Sequence, residues 1–360
     1  MHYDVRPDRR KTRQIMVGNV PVGGDAPISV QSMCTTNTYD AEATIAQITE
    51  LTEAGCEIVR CTVPSEKDAA ALPEIVKHAK IPVIADIHFD YRMALSAAEA
   101  GVSALRLNPG NIGGEKKVRM VVDAAKANKL PIRIGVNAGS LERDLLEKYL
   151  RATPEAMVES AMRHIQILED MDFGDIKVSL KASDPKLMID AYRLLADKVD
   201  YPFHLGVTEA GTKFSGTIKS AIGIGSLLSQ GIGDTIRVSL TAEPVEEIKA
   251  GFEILKSLRL REKGINLIAC PTCGRLEIDL FKLCDQVEDR FKNVEEPIEI
   301  AIMGCVVNGP GEAQAAKIGL AAGRGQGVLY VDGKVAKKVP EDQMLDALAE
   351  QVSNIVGRQV

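Results

Sequence analysis

Three cysteines and one glutamate in the last quarter of the chain have the types and spacing of metal ligands. Cys270 and Cys273 form a CxxC pair in the run CPTCGR, and Cys305 and Glu312 lie in the run GCVVNGPGE. Iron–sulfur clusters are held by cysteine thiolates, and four cysteines leave the metal closed to substrate. Three thiolates and a weaker carboxylate oxygen leave one iron exchangeable. The set is therefore typical of a cluster that takes part in chemistry.

Other interpretations of these cysteines stay open from spacing alone. A zinc site could add Cys284, although that residue falls inside a predicted helix on the same stripe as Phe281 and Val287, and we expect it in a core. A dithiol pair could use CPTC, but no thioredoxin-like context surrounds it and Cys305 would have no role. A purely structural cluster is a third alternative. The remaining cysteines are predicted to be small buried residues: Cys34, Cys56 and Cys61.

The composition favours a cytoplasmic chain without nucleic-acid or membrane partners. Seven cysteines in 360 residues, an odd number, do not suggest a disulfide framework. The N-terminal segment is charged, so we predict no signal peptide, and no apolar run reaches the length of a membrane span. A net charge of -6 and an aromatic content of 4% argue against nucleic-acid binding. An anionic ligand must therefore be held by a local group of basic residues.

A repeating strand–helix pattern extends from about residue 27 to residue 242. Eight short runs rich in Val and Ile are nearly continuous in apolar character, as parallel strands buried on both faces are. They are ISVQSMCT, EIVRCTV, PVIADIHF, ALRLNPGN, IRIGVNAG, IKVSLKAS, FHLGVTEAG and TIRVSLT. Helical stretches that end near Gly separate them. The pattern predicts an α/β fold with a (β/α)8 TIM-type barrel; an open doubly wound sheet is the competitor, but no GxGxxG follows the first strand.

Charged and polar residues stand where the predicted strands end, which is where TIM barrels carry their active sites. Basic residues outnumber acids among them, and the planar fork of Arg suits phosphate oxygens, so we expect an anionic ligand. Internal ion pairs, Arg60 with Asp86 and Lys181 with Glu209, are the alternative. His78 and His164 are predicted on helix surfaces. The predicted site residues are Arg60, Asp86, His88, Arg106, Asn108, Arg133, Asn137, Lys177, Lys181, His204, Glu209, Arg237 and Ser239.

The pattern changes after Gly264, where a second, smaller α/β domain is predicted. INLIAC and PIEIAIMGC are predicted strands that end at Cys270 and Cys305, with a helix between them in EIDLFKLCDQVEDRF. A meander (KIGLAAG, GVLYVDGK, KVAKKV) and a closing helix follow. We expect a barrel that binds the anion over residues 1–263, ending in a helix within 242–263, and a cluster domain over residues 264–360.

Many of these runs, in this order, resemble the 4-hydroxy-3-methylbut-2-enyl diphosphate synthase family of the non-mevalonate isoprenoid pathway. They include PISVQSM, ADIHFD, LRLNPGN, RIGVNAGSL, VSLKASD, HLGVTEAG, ACPTCGR and GCVVNGPGE, and the absence of a large insertion resembles the short bacterial form. The resemblance implies an oxidoreductase that opens and dehydrates 2-C-methyl-D-erythritol 2,4-cyclodiphosphate with two electrons. It also implies flavodoxin or ferredoxin as the electron donor and a [4Fe-4S] cluster held by Cys270, Cys273, Cys305 and Glu312.

The resemblance gives the basic strand ends a ligand, because Arg60, Arg106, Arg133 and Lys181 would hold the diphosphate. Glu209 is the candidate proton donor. A homodimer in which one chain's cluster caps the other chain's barrel is also implied. Two rivals are a binding protein with a zinc or cluster domain and a pterin-type barrel that transfers one-carbon units. Neither needs three cysteines with a glutamate, and neither explains so many strand-end arginines.

Overall fold

The computed structural model describes residues 8–305, 307 and 309–360. Residues 1–7, part of the charged N-terminal segment, and Val306 and Asn308 of the GCVVNGPGE run lie outside the described residues. The chain divides into two compact units, Met1–Arg261 and Glu262–Val360. Within the described residues, no helix combines the length and apolar character needed to cross a membrane.

A short antiparallel hairpin that the sequence did not predict precedes the barrel. Its strands are β1 (Ile15–Val17) and β2 (Val20–Val22). Apolar side chains of the hairpin are buried against residues at the amino ends of three barrel strands, which closes that end of the barrel with a small core. The members of this core are Ile15, Val17, Val22, Ile58, Ile84 and Ala104.

Eight parallel strands form the barrel, and all eight predicted strands are present. They are β3 (Ser29–Met33), β4 (Ile58–Thr62), β5 (Val83–Asp86), β6 (Ala104–Arg106), β7 (Ile132–Asn137), β8 (Ile176–Lys181), β9 (His204–Leu205) and β10 (Thr235–Ile236). The strand order is β8-β7-β6-β5-β4-β3-β10-β9. A parallel bridge between Val178 and Phe203 brings β8 beside β9. The predicted TIM-type barrel is therefore confirmed.

Helices follow the strands and cover the outside of the barrel. Several begin at side-chain caps that satisfy free backbone N–H groups, such as Asp40, Thr153 and Asp184. The last helix ends at Ser257, earlier than the predicted segment that extended to Lys263. The helices are α1 (Ala41–Glu53), α2 (Glu66–His78), α3 (Tyr91–Glu99), α4 (Glu115–Ala127), α5 (Arg143–Tyr149), α6 (Pro154–Glu169), α7 (Pro185–Ala196), α8 (Lys213–Leu228) and α9 (Pro244–Ser257).

The main core lies between the strands and the helices. Outward-facing strand residues such as Val59, Cys61 and Ala85 are fully buried there, and the prediction that Cys34 and Cys56 are buried is also confirmed. Alternate residues on the same strands face the barrel interior, because successive side chains of a strand point to opposite faces. Apolar packing outside thus leaves the inward positions for polar groups.

His164 corrects the sequence prediction. It was expected on a helix surface, yet it is 3% exposed on α6 and its Nε2 lies 3.1 Å from Glu142 Oε1. The segment that contains α5 packs against this side of α6. The apolar pattern of α6 alone does not show that another segment buries its polar side. His78, in contrast, is exposed on α2 as predicted.

The second unit has a five-stranded mixed sheet with helices, as predicted. Strand order follows the chain: the first three strands are parallel, and the last two are added antiparallel. Cys284 is half-buried at the edge of this core, and its neighbour Phe281 is 66% exposed. The elements are β11 (Ile265–Ala269), α10 (Leu280–Phe291), β12 (Ile298–Met303), α11 (Gly309–Ala315), β13 (Ile318–Gly323), β14 (Gln326–Val331), β15 (Lys334–Pro340) and α12 (Met344–Val356).

Candidate active site

Strand register brings the predicted charged residues side by side at the carboxyl end of the barrel. Asp86 at the end of β5 is paired in register with Arg106 at the end of β6, and Arg106 with Arg133 on β7. Asn137 at the end of β7 is paired with Lys181 at the end of β8. Residues in register on neighbouring strands point to the same face, so these side chains converge on the barrel mouth.

A cavity of about 350 Å³ opens at this mouth. Most of the predicted site residues line it. Sequence reasoning missed four lining residues, Met33, Thr62, Ser179 and Thr208, although the period of two from Arg60 and Lys181 places Thr62 and Ser179 on the inner face. The lining residues are Met33, Arg60, Thr62, Asp86, His88, Arg106, Arg133, Asn137, Ser179, Lys181, Thr208, Arg237 and Ser239.

Asp86 organises one side of the mouth. Its Oδ2 lies 3.4 Å from Arg60 Nε and its Oδ1 lies 3.1 Å from Arg106 Nη1, so the predicted ion pair with Arg60 is present. His88 Nε2 lies 3.8 Å from the same Oδ1. Burial raises the pKa of Asp86, but Arg60 and then Arg106 outweigh that effect and the pKa falls to about 2. The carboxylate therefore stays charged and fixes both guanidinium groups.

Gly135 holds Arg106 and Asn108 in place. Its carbonyl oxygen accepts from Arg106 Nη2 at 3.1 Å and from Asn108 Nδ2 at 3.0 Å, and its N–H donates to Asn108 Oδ1 at 2.8 Å. A Cβ at residue 135 would lie 2.6 Å from Arg106 Nε, so the guanidinium occupies the space that a side chain would take. Asn108 does not line the cavity; it ties the loop after β6 to β7.

The cations of the mouth exceed the acids. Arg237 Nε lies 3.6 Å from Glu247 Oε2. For Arg133 and Lys181, in contrast, no carboxylate of the described residues comes within ion-pair distance, and the predicted pair of Lys181 with Glu209 is not formed. Burial, together with the charges of Arg133 and Arg237, holds the pKa of Lys181 well below its usual value. The site is thus short of negative charge, which an anionic ligand would supply.

Besides Asn108, three predicted residues lie away from the cavity lining. Lys177 and His204 are 1% and 0% exposed and stand nearer the amino ends of β8 and β9. Glu209 is exposed in the loop after β9, next to the lining residue Thr208, and its backbone is left-handed with φ of +46°. Such a conformation is uncommon for a residue other than glycine, and strained residues of this kind cluster at active sites and ligand-binding loops.

The predicted metal ligands lie in the second unit, at the carboxyl ends of neighbouring parallel strands. Cys270 directly follows β11 and Cys305 closely follows β12, and the Gly304 N–H donates to Cys270 Sγ at 3.3 Å. Glu312 lies in the first turn of the short helix α11. Among the described residues, no three Cys, His, Asp or Glu side chains are close enough together to hold a metal ion.

The chemistry of the donors nevertheless fits a thiolate-bound cluster. Hydrogen bonds from the backbone and then the side chain of Arg275 lower the pKa of Cys273, which favours the thiolate that binds metal. A Cβ on Gly304 would lie 2.3 Å from Leu276 Cδ1, so glycine lets Leu276 pack against the loop that donates to Cys270. Cys270 and Cys305 are half-buried, whereas Cys273 is exposed.

A parallel barrel with a polar mouth at the carboxyl ends of its strands defines an enzyme of the TIM-barrel class. Residues 12–252 match the family model of the GcpE TIM-barrel domain, and residues 266–354 match that of the GcpE protein C-terminal domain. The chain belongs to the GcpE family.

Curated relatives are similar to this chain over nearly its whole length. The 4-hydroxy-3-methylbut-2-en-1-yl diphosphate synthase (flavodoxin) of Geobacter sulfurreducens is 60% identical over 97% of this chain and 99% of its own. Proteins of the same name from Clostridium acetobutylicum and Geobacillus kaustophilus are each 56% identical over 96% of this chain and cover 99% and 93% of their own lengths. The family resemblance found in the sequence is therefore confirmed.

Solved structures support the fold only. An N-acetylneuraminic acid synthetase from Leptospira borgpetersenii has a TM-score of 0.50 at 14% identity and covers 79% of this chain and 98% of its own. A 3-dehydroquinate dehydratase from Geobacillus kaustophilus has a TM-score of 0.50 at 13% identity, covering 69% and 99%.

Proposed function

We propose that this chain converts 2-C-methyl-D-erythritol 2,4-cyclodiphosphate to 4-hydroxy-3-methylbut-2-enyl diphosphate by a two-electron reductive ring opening and dehydration. The observation that carries the proposal is the excess of buried cations at the barrel mouth, led by Arg133 and Lys181 without carboxylate partners. A cyclic diphosphate supplies the missing negative charge. The names of relatives that are 60% and 56% identical support the same reaction.

The proposed cofactor is a [4Fe-4S] cluster held by Cys270, Cys273, Cys305 and Glu312. The placement of Cys270 and Cys305 at adjacent strand ends and the lowered pKa of Cys273 support this set. When bound, such a cluster supplies electrons and a Lewis-acidic iron. Free thiols in these positions agree with a reducing cytoplasm as the location of the enzyme.

The barrel residues bind and orient the substrate in this proposal. Arg60 and Arg106 are fixed by Asp86 and present their remaining N–H groups to phosphate oxygens, while Arg133 and Lys181 add charge from β7 and β8. Each charge-assisted contact contributes about 1.5–3 kcal/mol. His88, Asn137 and Ser239 complete the hydrogen bonds at the rim.

Glu209 is the proposed proton donor to the departing hydroxyl. Its exposed position beside Thr208 keeps the carboxyl group in reach of solvent protons, and its left-handed backbone fixes the loop at the strand end. The variant Glu209→Gln should keep substrate affinity but lower kcat, because an amide cannot deliver the proton. An unchanged kcat would remove Glu209 from this role.

The proposed electron donor is flavodoxin, which the names of the relatives include, with ferredoxin as the alternative. Both carriers are acidic, so a basic docking surface is required. Lys337 and Lys338 on the edge strand β15 supply positive charge on the second unit. Lys337 also forms an ion pair with Glu350 at 2.5 Å, which partly offsets its charge.

The proposed assembly is a homodimer in which one chain's cluster completes the barrel mouth of its partner. Helix α8 offers a surface for it, because Phe214, Ile218 and Ile222 are 80%, 45% and 53% exposed and form one stripe. A Cβ on Gly225, one turn further along, would meet nothing within 4 Å. Large residues at one end and a glycine at the other are self-complementary when two such helices pack antiparallel, as a twofold interface requires.

Sedimentation tests the assembly. The variant Ile218→Glu should shift the protein towards monomer and lower activity, because it places charge in the stripe. Met120→Glu is the matched control, since Met120 is similarly exposed, at 41%, on α4. A wild-type protein that is monomeric and fully active would exclude the shared site.

Metal analysis of protein purified without oxygen tests the function as a whole. About four irons and four sulfides per chain, with reductive turnover of the cyclodiphosphate, are expected. One zinc and no sulfide after reconstitution would refute the reductase and favour a barrel with a structural zinc domain.

A further inference from the structure

A second polar layer lies inside the barrel, below the residues that line the mouth. Lys177, His204 and Gln31 are 1%, 0% and 0% exposed. Lys177 Nζ, both ring nitrogens of His204 and both amide atoms of Gln31 have no hydrogen-bond partner among the described residues. Buried polar groups are nearly always hydrogen-bonded, so the missing hydrogen bonds of these three side chains call for an explanation.

Strand register couples this layer to the mouth. Lys177 on β8 is paired in register with Arg133 on β7, and Arg133 lines the cavity. His204 on β9 is paired with Thr235 on β10. The inner layer therefore stands directly next to a cation that we propose to contact the diphosphate.

The charged groups around Lys177 leave it without a counterion. Arg133 and, from β4, Arg60 oppose its charge, and Asp234 is the acid that favours it. The oxygens of Asp234 already accept from Arg9, from Thr12 and from the Phe203 N–H. His204 also faces this group, and the positive charges of Arg133 and Lys181 act on it too.

We propose that Lys177 is a proton-accepting residue of the anion site: it is neutral in the free enzyme and takes up a proton when a diphosphate occupies the mouth. This inference rests on the proposed function and concerns how the same site binds its substrate. His204 remains the uncharged neighbour of Lys177 in the free enzyme. Lys177 is a positioning residue, because it acts on the substrate through Arg133 rather than by contact.

The electrostatics of the site give the sign of the effect. Burial first, and then the charge of Arg133, lower the pKa of Lys177 to about 7. A bound diphosphate offsets the charges of Arg133 and Arg60, and a nearby negative charge favours the protonated amine, so the pKa rises. Above pH 7 the free enzyme has lost this proton and must take it up again on binding. Affinity should therefore fall as pH rises above 7, roughly tenfold per pH unit for each proton taken up.

Titration calorimetry of the holoenzyme with the cyclodiphosphate, in the absence of reductant, tests this inference. Measurements at pH 8 in buffers of different ionisation enthalpy give the number of protons taken up. Each phosphate of a cyclic diphosphate has one strongly acidic hydroxyl, so the ligand itself exchanges no proton. Wild type should take up protons, and Lys177→Met should take up nearly one fewer and show a flatter dependence of Kd on pH.

The control variant is Lys198→Met, which changes an exposed lysine in the same way and should bind like wild type. Substrate binding by the wild type without proton uptake, or undiminished uptake in Lys177→Met, would overturn the inference and leave the proposed function intact. Failure of the wild type to bind the cyclodiphosphate would overturn both. If Lys177→Met does not fold, an absence of proton uptake by the wild type still overturns the inference.

Discussion

Arg106→Ala is the most direct test of the barrel site. In the structure Arg106 donates to Asp86 Oδ1 and to the Gly135 carbonyl, each at 3.1 Å, which uses two of its five N–H groups. The remaining donors are available to the diphosphate. Loss of one charge-assisted contact costs about 1.5–3 kcal/mol, so Kd for the cyclodiphosphate should rise roughly ten- to a hundredfold.

The fold should tolerate this change. Asp86 keeps Arg60 at 3.4 Å, so its carboxylate is not left alone in the barrel. Binding would be measured without reductant, alongside the melting temperature, and kcat/KM would be measured with it. Arg92→Ala is the matched control, because Arg92 is an exposed arginine in α3 that pairs with Asp90 outside the mouth. Wild-type Kd in a folded Arg106→Ala protein would refute the assignment of the mouth as the diphosphate site.

Two further substitutions have defined outcomes. Cys305→Ser should lose iron, sulfide and activity together, whereas Cys284→Ser should keep its metal content, because Cys284 packs at the edge of a core; equal metal loss in both variants would contradict the ligand set. Gly135→Ala should raise KM at least tenfold, because its Cβ would lie 2.6 Å from Arg106 Nε and displace the guanidinium. Gly139→Ala is its control, since a Cβ there meets nothing within 4 Å, and equal KM values for the two would show that Arg106 can move without loss.

The barrel strands were predictable because each is buried on both faces. Outward residues such as Ile134 and Val178 contact the helices, and inward residues are also buried even where they are polar, so each strand appears as a short run rich in Val and Ile. Strand length was less predictable: β9 and β10 have two residues each, although their apolar runs are longer.

The hairpin before the barrel could not be read from periodicity. β1 and β2 have three residues each, too few for an alternating pattern to stand out from a loop. Its role depends on contacts with Ile58 and Ile84, which are distant in sequence. A short element stabilised by such tertiary contacts has no local signature.

The sequence identified which residues face the barrel but not how deep each one lies. Lys177 and Lys181 are both inward on β8, four residues apart, so alternation assigns them to one site. The register of neighbouring strands places Lys181 beside Asn137 at the mouth and Lys177 beside Arg133, nearer the amino end of β8. Depth in a barrel depends on this stagger, which no single strand encodes.

An interior with more cations than carboxylates costs folding free energy unless a ligand or a lost proton compensates for it. Asp86 and Glu247 pair with three arginines, Arg60, Arg106 and Arg237. Lys177 avoids the cost by losing its proton in the free enzyme, because burial lowers its pKa to about 7. A barrel that served only as a scaffold would gain stability from apolar residues at these positions. Their presence is therefore best explained by the anion, whose charge makes the same groups favourable when it binds.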